Sequence, residues 1–457
     1  MKHINGEDSM KLLVIADDFT GALDTGVQFA GQGIPTQILH QPAVTQEELA
    51  EAEAEVLVID AETRHLDDKQ AYKTVYEIVM TARRASVPYI YKKTDSGLRG
   101  NIGAELQAAL DASGMQYLTF IPALPAMNRI TVNGIHYIDK VPVQDSVFGT
   151  DLFNPVLTSN VKELFRKASC PVRVYRAGEK RQPARGQEIG IFDAGSQEDI
   201  VRIATDLSQR GLMGVMAGCT GFASVLADHL NLKREQEEIS FTANNLFILC
   251  GSINEISKRQ IEYAERNGIR RVTMNPYQLD SDYLESREGK RWLLTLKEIC
   301  DGGTTCVVET GISDIGQVRS YMQERGISLE ASRVRIADAL GVALKMLLQM
   351  GMNATVMIIG GDTLNGFFRQ IHAREIVICR EMGPGTVLSF IRLKDERQWI
   401  ISKSGGFGRP ELLVDIEKKV KGGILEHEAG GHETSGEDIC RFERSGEYLQ
   451  DCEGKIS

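Results

Sequence analysis

Short apolar runs that stop at abrupt polar turns recur along this chain and set its fold class. Lys11–Ala16 runs into Asp-Asp-Phe-Thr-Gly, and Val356–Ile359 runs into Gly-Gly-Asp-Thr. Runs of this length suit parallel strands buried on both faces. The pattern predicts strands over 11–16, 36–39, 56–60, 89–92 and 118–121, with helices over 20–31, 68–85 and 103–112 between them. Strand and helix in alternation imply parallel βαβ units. Residues 123–160, rich in Pro, Asn and Gly, read as a long irregular loop, a kind of segment that is usually functional inside a compact domain. Alternation resumes with strands at 189–193 and 213–217.

Residues 231–245 are charged and polar and read as a linker. A second alternating series follows, with strands over 246–250, 271–274, 304–308 and 356–359 and helices over 255–267, 285–300, 330–350 and 364–372. A glycine-rich, β-like end carries 386–393 and 399–402. The expected fold is α/β with two domains, each a mostly parallel sheet flanked by helices, and a site in the cleft between them. The domains are expected over 10–230 and 246–420, followed by a polar tail, 421–457, expected to be disordered. Met10 is a candidate true start, which would make residues 1–9 a ragged leader.

A length of 457 residues agrees with two cores. Apolar content of 42% and charged content of 25% are those of a globular protein. The net charge of −11 argues against nucleic acid or an anionic membrane as the main partner. The eight cysteines form no Cys-x-x-Cys pair, which favours reduced thiols and a cytoplasmic location. No apolar stretch is long enough to span a bilayer, and the first ten residues have no apolar signal core.

In open α/β sheets, ligands collect beyond the carboxyl ends of the strands. Asp17 and Asp18 close the first strand. An ionised carboxylate only accepts hydrogen bonds, which suits substrate hydroxyls and proton removal; the plainer role is a helix N-cap. Adjacency of the two should raise one pKa by repulsion. Lys93-Thr94-Asp95-Ser96-Gly-Leu-Arg99-Gly ends another strand, its cations suited to an anion and Asp95 and Ser96 to hydroxyls. Arg64, at a neighbouring strand end, faces the same crevice and suits a carboxylate. Gly360-Gly361-Asp362-Thr363 opens a helix whose first N–H groups suit phosphate. Gly251-Ser252 and Ser404-Gly405-Gly406-Phe-Gly408 stand at two further strand ends. Neither a Walker-type loop nor Gly-x-Gly-x-x-Gly is present. His427 to His432 imitates a zincin motif with the wrong spacing.

Six ordered signatures together resemble the four-carbon acid sugar kinase family from about Lys11 to Ile416: IADDFTGA, KTDSGLRGNIG, Pro122-Ala-Leu-Pro125, Gly251-Ser252, GGDT and KSGGFG. The resemblance implies an N-terminal acid-sugar domain and a C-terminal ATP domain. It places the sugar acid at Asp18, Arg64 and Lys93 to Ser96. It places ATP at Ser252, Gly360 to Thr363, and Gly405-Gly406. The implied reaction is ATP- and Mg²⁺-dependent phosphorylation of the 4-hydroxyl of a four-carbon sugar acid, D-threonate before D-erythronate or 3-oxo-tetronate. Asp18 and Asp362 are both candidates for the group that accepts the hydroxyl proton. No protein ligand for the metal is assigned, and a homodimer is left open. A sugar-acid sensor without turnover is the reading from a different class.

Overall fold

The computed structural model describes residues 10–151, 154–179, 186–234, 241, 244–280, 282–310, 315–383, 385–393 and 396–422. Parts of the expected linker, nearly all of the expected tail, the leader and the His427 to His432 segment lie outside the described residues.

The apolar runs form strands as their pattern requires. Leu12–Ala16, Val56–Asp60, Tyr117–Ile121, Leu246–Cys250 and Thr355–Ile359 are buried along their whole lengths. Eight N-terminal strands are all parallel, in the spatial order 36–40, 56–60, 12–16, 89–93, 215–218, 117–121, 188–192 and 172–175. In the C-terminal half, strands 270–274, 306–310, 246–250, 355–359 and 396–403 are parallel. Two antiparallel strands, 386–393 and 375–383, extend that half.

The two halves do not stop at separate edges. Glu375–Val377 pairs antiparallel with Gln37–Leu39, so one 15-stranded sheet runs through both halves. Strand 375–383 is not among the elements expected from the sequence. Helices cover both faces, which explains why the strands are apolar throughout rather than alternating.

Three differences from the sequence reading have physical reasons. Residues 123–160 are not irregular throughout: Arg129–Val132, Ile135–Ile138 and Val141–Pro142 form a small antiparallel sheet. Its hairpin turns at Asn133-Gly134, both at positive φ (52° and 75°), the backbone that a type I′ turn requires. The helix expected from Leu364 begins at Gly361, with Gly360 as its N-cap at φ 106°. The chain is still helical over Leu412–Gly422, where the polar tail was expected to start.

Helix Leu329–Gln349 crosses helix Gly361–Ile371 with their backbones almost touching. A Cβ on Gly341 would lie 2.5 Å from the carbonyl carbon and oxygen of Gly366. Overpacking of this kind typically costs about 1–3 kcal/mol. Gly341→Ala should therefore lower the denaturation midpoint in chemical unfolding; an unchanged midpoint would mean that the crossing is looser than described.

Candidate active site

Two clusters of strand-end residues face each other across the seam between the halves. The N-terminal cluster is built on carboxylates and guanidinium groups. Asp18 caps the first helix, Phe19–Ala30, its carboxylate accepting the Gly21 amide at 2.7 Å. Arg64 donates through Nε to Asp17 at 2.8 Å and through Nη1 to Asp18, and its Nη2 lies 3.7 Å from Asp95. The Arg99 guanidinium donates to both oxygens of Asp95, at 2.8 and 3.0 Å, and to Asp151 at 3.1 Å. Asp95 also accepts the amides of Gly97 and Arg99, which closes the turn.

Burial alone would raise the Asp17 carboxyl, but Arg64, Lys92 and Lys93 outweigh it and hold it below the usual range. The rise expected for one of the adjacent pair is thus overturned at Asp17. At Asp95, burial is outweighed by Arg99 and Arg64, and the carboxyl is held well below its ordinary value. These carboxylates stay charged, and their cations lock the floor of the crevice.

Arg64 and Arg99 are therefore engaged with carboxylates, whereas the sequence pointed to them as anion holders. Lys93 is different. Its stem is buried, its ammonium lies over Gly21, and it has no salt bridge among the described residues. Beside it stands Arg129, which sequence reasoning missed. Arg129 donates through Nη1 to the Ser96 hydroxyl, stacks on Phe148 at 5.1 Å and reaches Phe407 of the other half at 6.0 Å. It too lacks a carboxylate partner among the described residues, and burial lowers its pKa. The small antiparallel sheet carries it there. His136 of the same sheet donates through Nε2 to the Ser96 carbonyl (3.0 Å), which leaves Nδ1 to accept the Thr131 hydroxyl (3.0 Å). Burial pushes the His136 pKa down to about 4. Asp17 Oδ1, Thr94 Oγ1 and Arg129 Nε are buried without a hydrogen-bond partner among the described residues. Buried polar atoms of that kind are rare in native interiors and are suited to a ligand.

The second cluster gathers at the ends of three adjacent strands, 246–250, 355–359 and 396–403. The structure brings Ser252, Gly360, Gly361, Thr363, Gly405 and Gly406 together there. The glycines are there for space. A side chain on Gly251 would strike the Thr363 hydroxyl, and one on Gly405 the Ser252 hydroxyl. No side chain caps helix Gly361–Ile371, so its first amides are open to an anion. Lys403, at the same strand end, directs its ammonium to the Ser404 carbonyl at 2.8 Å; burial pushes its pKa down to about 8. The Asp362 side chain leaves this group: it is half exposed and paired with Arg333.

The halves meet closely. A side chain on Gly361 would collide with the Thr20 hydroxyl of the first helix. Phe19 stacks on His40 at 4.6 Å and meets Phe368 edge-on at 4.9 Å. His40, Asp60 and Glu62 place ligand atoms within 4.8 Å of one another. His40 Nδ1 is already bonded to Asp60 at 2.8 Å and Glu62 accepts the Asn365 amide at 3.1 Å, which makes this group a hydrogen-bonded seam.

No helix of the described residues is long and apolar enough to cross a membrane. Residues 12–226 match the family model of a sugar-binding N-terminal domain, and residues 247–413 that of a nucleotide-binding C-terminal domain. A D-threonate kinase of Salmonella typhimurium is 27% identical over 89% of this chain and 97% of its own. A D-erythronate kinase of Heliobacterium modesticaldum is 26% identical, covering 82% and 88%. A 3-oxo-tetronate kinase of Brucella melitensis is 22% identical, covering 90% and 96%. Among solved structures, a Salmonella typhimurium LT2 protein (solved as a candidate tRNA synthase) shares the fold with a TM-score of 0.72 at 18% identity, over 90% of this chain and 99% of that one. Two matched domains in this order, with relatives aligned over nearly their whole lengths, make the chain a member of the four-carbon acid sugar kinase family.

Proposed function

We propose that this sugar acid kinase transfers the γ-phosphoryl group of ATP to the terminal 4-hydroxyl of a four-carbon acid, with D-threonate as the preferred acceptor. The observation that carries the reading is the seam. The first helix borders the carboxylate–guanidinium crevice at Asp18, and its Thr20 closes on Gly361 at the open helix terminus. An anionic polyol on one side and a phosphate chain on the other would meet across a single helical turn.

Lys93 and Arg129 hold the acid's carboxylate, since both are cations without carboxylate partners among the described residues. Arg64 serves to hold Asp17, Asp18 and Asp95 in place. Asp17 Oδ1 and Thr94 Oγ1 meet the hydroxyls. The amides of Gly361 to Thr363, with Lys403 beside them, bind phosphate oxygens. ATP supplies the phosphoryl group, and Mg²⁺ neutralises charge on its oxygens. The work left to the protein is positioning and exclusion of water.

D-Threonate is preferred because the relative of that name is 27% identical to this chain, against 26% for the D-erythronate kinase and 22% for the 3-oxo-tetronate kinase. D-Erythronate and 3-oxo-tetronate are the alternative acceptors, and rejecting an epimer rests on the placement of one hydrogen bond. The test is ADP release with Mg-ATP against D- and L-threonate, D- and L-erythronate, 3-oxo-tetronate and 4-hydroxythreonine. One acid, D-threonate, is expected to dominate. Silence across the panel with ATP still bound would overturn the reading in favour of a sensor.

A further inference from the structure

Each carboxylate around the seam has a hydrogen-bond or salt-bridge partner, with one exception among the described residues. Asp17 and Asp18 are held by Arg64, Asp95 by Arg99, Asp362 by Arg333, Asp60 by His40 and Glu62 by Asn365. The exception is Asp24, in the first helix. Its carboxylate makes no hydrogen bond or salt bridge to any described residue.

Asp24 stands one turn beyond Thr20, and residues four apart share a helix face. That face borders the crevice between the halves. Asp24 and Thr20 line it on one side, and Gly360, Gly361, Lys403 and Ser404 on the other. The Lys93 ammonium of the acid crevice lies over Gly21, less than one turn before Asp24 in the same helix, and it and Arg129 act on the Asp24 charge. It therefore lies between the group that would bind the acid and the turn that would bind phosphate.

We infer that Asp24 is the general base of the phosphoryl transfer, accepting the proton of the attacking terminal hydroxyl. The inference rests on the proposed kinase reaction. The hydroxyl O–H bond breaks and its proton passes to an Asp24 oxygen. The same hydroxyl oxygen forms a bond to the γ-phosphorus, and the bond from that phosphorus to the β–γ bridging oxygen breaks, releasing ADP. Asp24 then returns the proton to solvent. The two carboxylates singled out by sequence are worse placed: Asp18 is tied to Arg64 and the Gly21 amide, and Asp362 is turned to Arg333.

The electrostatics agree with this geometry. Burial pushes the Asp24 carboxyl up to about 7; Lys93 and Arg129 oppose the rise, and Asp18 and Glu381 add to it. The remaining charged group on the crevice wall is Lys403. A base with a pKa near the working pH is the effective one. Asp24 acts when ionised, so the rate should climb with pH through about 7.

The test is Asp24→Asn, compared with wild-type protein on its best acid from the panel. We expect kcat to fall by about 10²- to 10⁴-fold, the usual contribution of a general base. Calorimetry should find the acid and the ATP analogue bound as in wild type, and the acidic limb of the kcat–pH profile should vanish. Asp24→Glu, which keeps a carboxylate, should retain the limb at a reduced rate, and melting curves verify that both variants fold. An Asn variant with near-normal kcat would overturn the inference. So would a retained acidic limb combined with a raised Mg²⁺ requirement, which would make Asp24 a metal ligand. Silence of the wild-type protein on every acid would overturn the kinase reading itself, and this inference with it.

Discussion

Replacing Lys93 by methionine should cut kcat/KM for the sugar acid by roughly two to three orders of magnitude while the fold is kept. Removing one partner of a buried charged contact typically costs about 2–5 kcal/mol, and each ~1.4 kcal/mol is a factor of ten. The loss should fall on the acid, because Lys93 ends strand Tyr89–Lys93 over Gly21 and Asp18, at the acid crevice. Methionine keeps most of the stem volume and removes a buried ammonium that lacks a salt bridge among the described residues, so the melting temperature should hold. Steady-state kinetics with the acid and with ATP varied separately decide the matter. If the defect appears in the ATP KM alone, Lys93 serves the phosphate chain and the carboxylate is left to Arg129.

The neighbouring lysine should behave in the opposite way. Lys92 is fully buried and lies on the other face of the same strand. Its ammonium is 3.0 Å from Glu105 of helix Ile102–Ser113 and donates to the Lys93 carbonyl at 2.7 Å. Lys92→Met leaves the Glu105 carboxylate buried with no cation, and such breaks cost about 3–5 kcal/mol. Near the melting transition, each kcal/mol moves Tm by about 2–4 °C in a domain of this size. A fall of roughly 6–20 °C is expected, read by calorimetry. Adding Glu105→Leu should restore most of it, because a well-packed apolar pair often replaces a buried ion pair without loss. A double variant as unstable as the single one would show that the backbone contact of Lys92, and not its charge, is what matters.

The strands and the two turn clusters were legible because each is a local signal: an apolar run, then a glycine or a carboxylate at its end. Ser252, Thr363 and Gly405 could be placed together from such ends alone. Arg129 could not, since its position depends on a hairpin folding back over the Lys93 to Arg99 turn. The signal for that hairpin was present in Asn133-Gly134, flanked by β-branched residues, and was covered by the surrounding Pro and Gly. Asp24 was illegible for another reason. It sits inside a helix, where a lone carboxylate reads as a solvated surface position until the other half of the chain closes over it. Charge pairing was equally hidden. Which of Arg64, Lys93 and Arg99 is left without a carboxylate is a matter of distances, and the order of residues does not reveal it.

The unbroken sheet limits how such an enzyme can breathe. A hinge that swung the halves apart as rigid bodies would have to tear Glu375–Val377 from Gln37–Leu39, exposing a raw strand edge in every catalytic cycle. The mechanics that remain are those of a torsion spring. The sheet can coil more or less tightly along its length, and the helices above it, led by Phe19–Ala30 and Gly361–Ile371, can slide or tilt on a platform that stays whole. Admission of reactants and escape of ADP would then be paced by side-chain and helix rearrangement over a continuous spine.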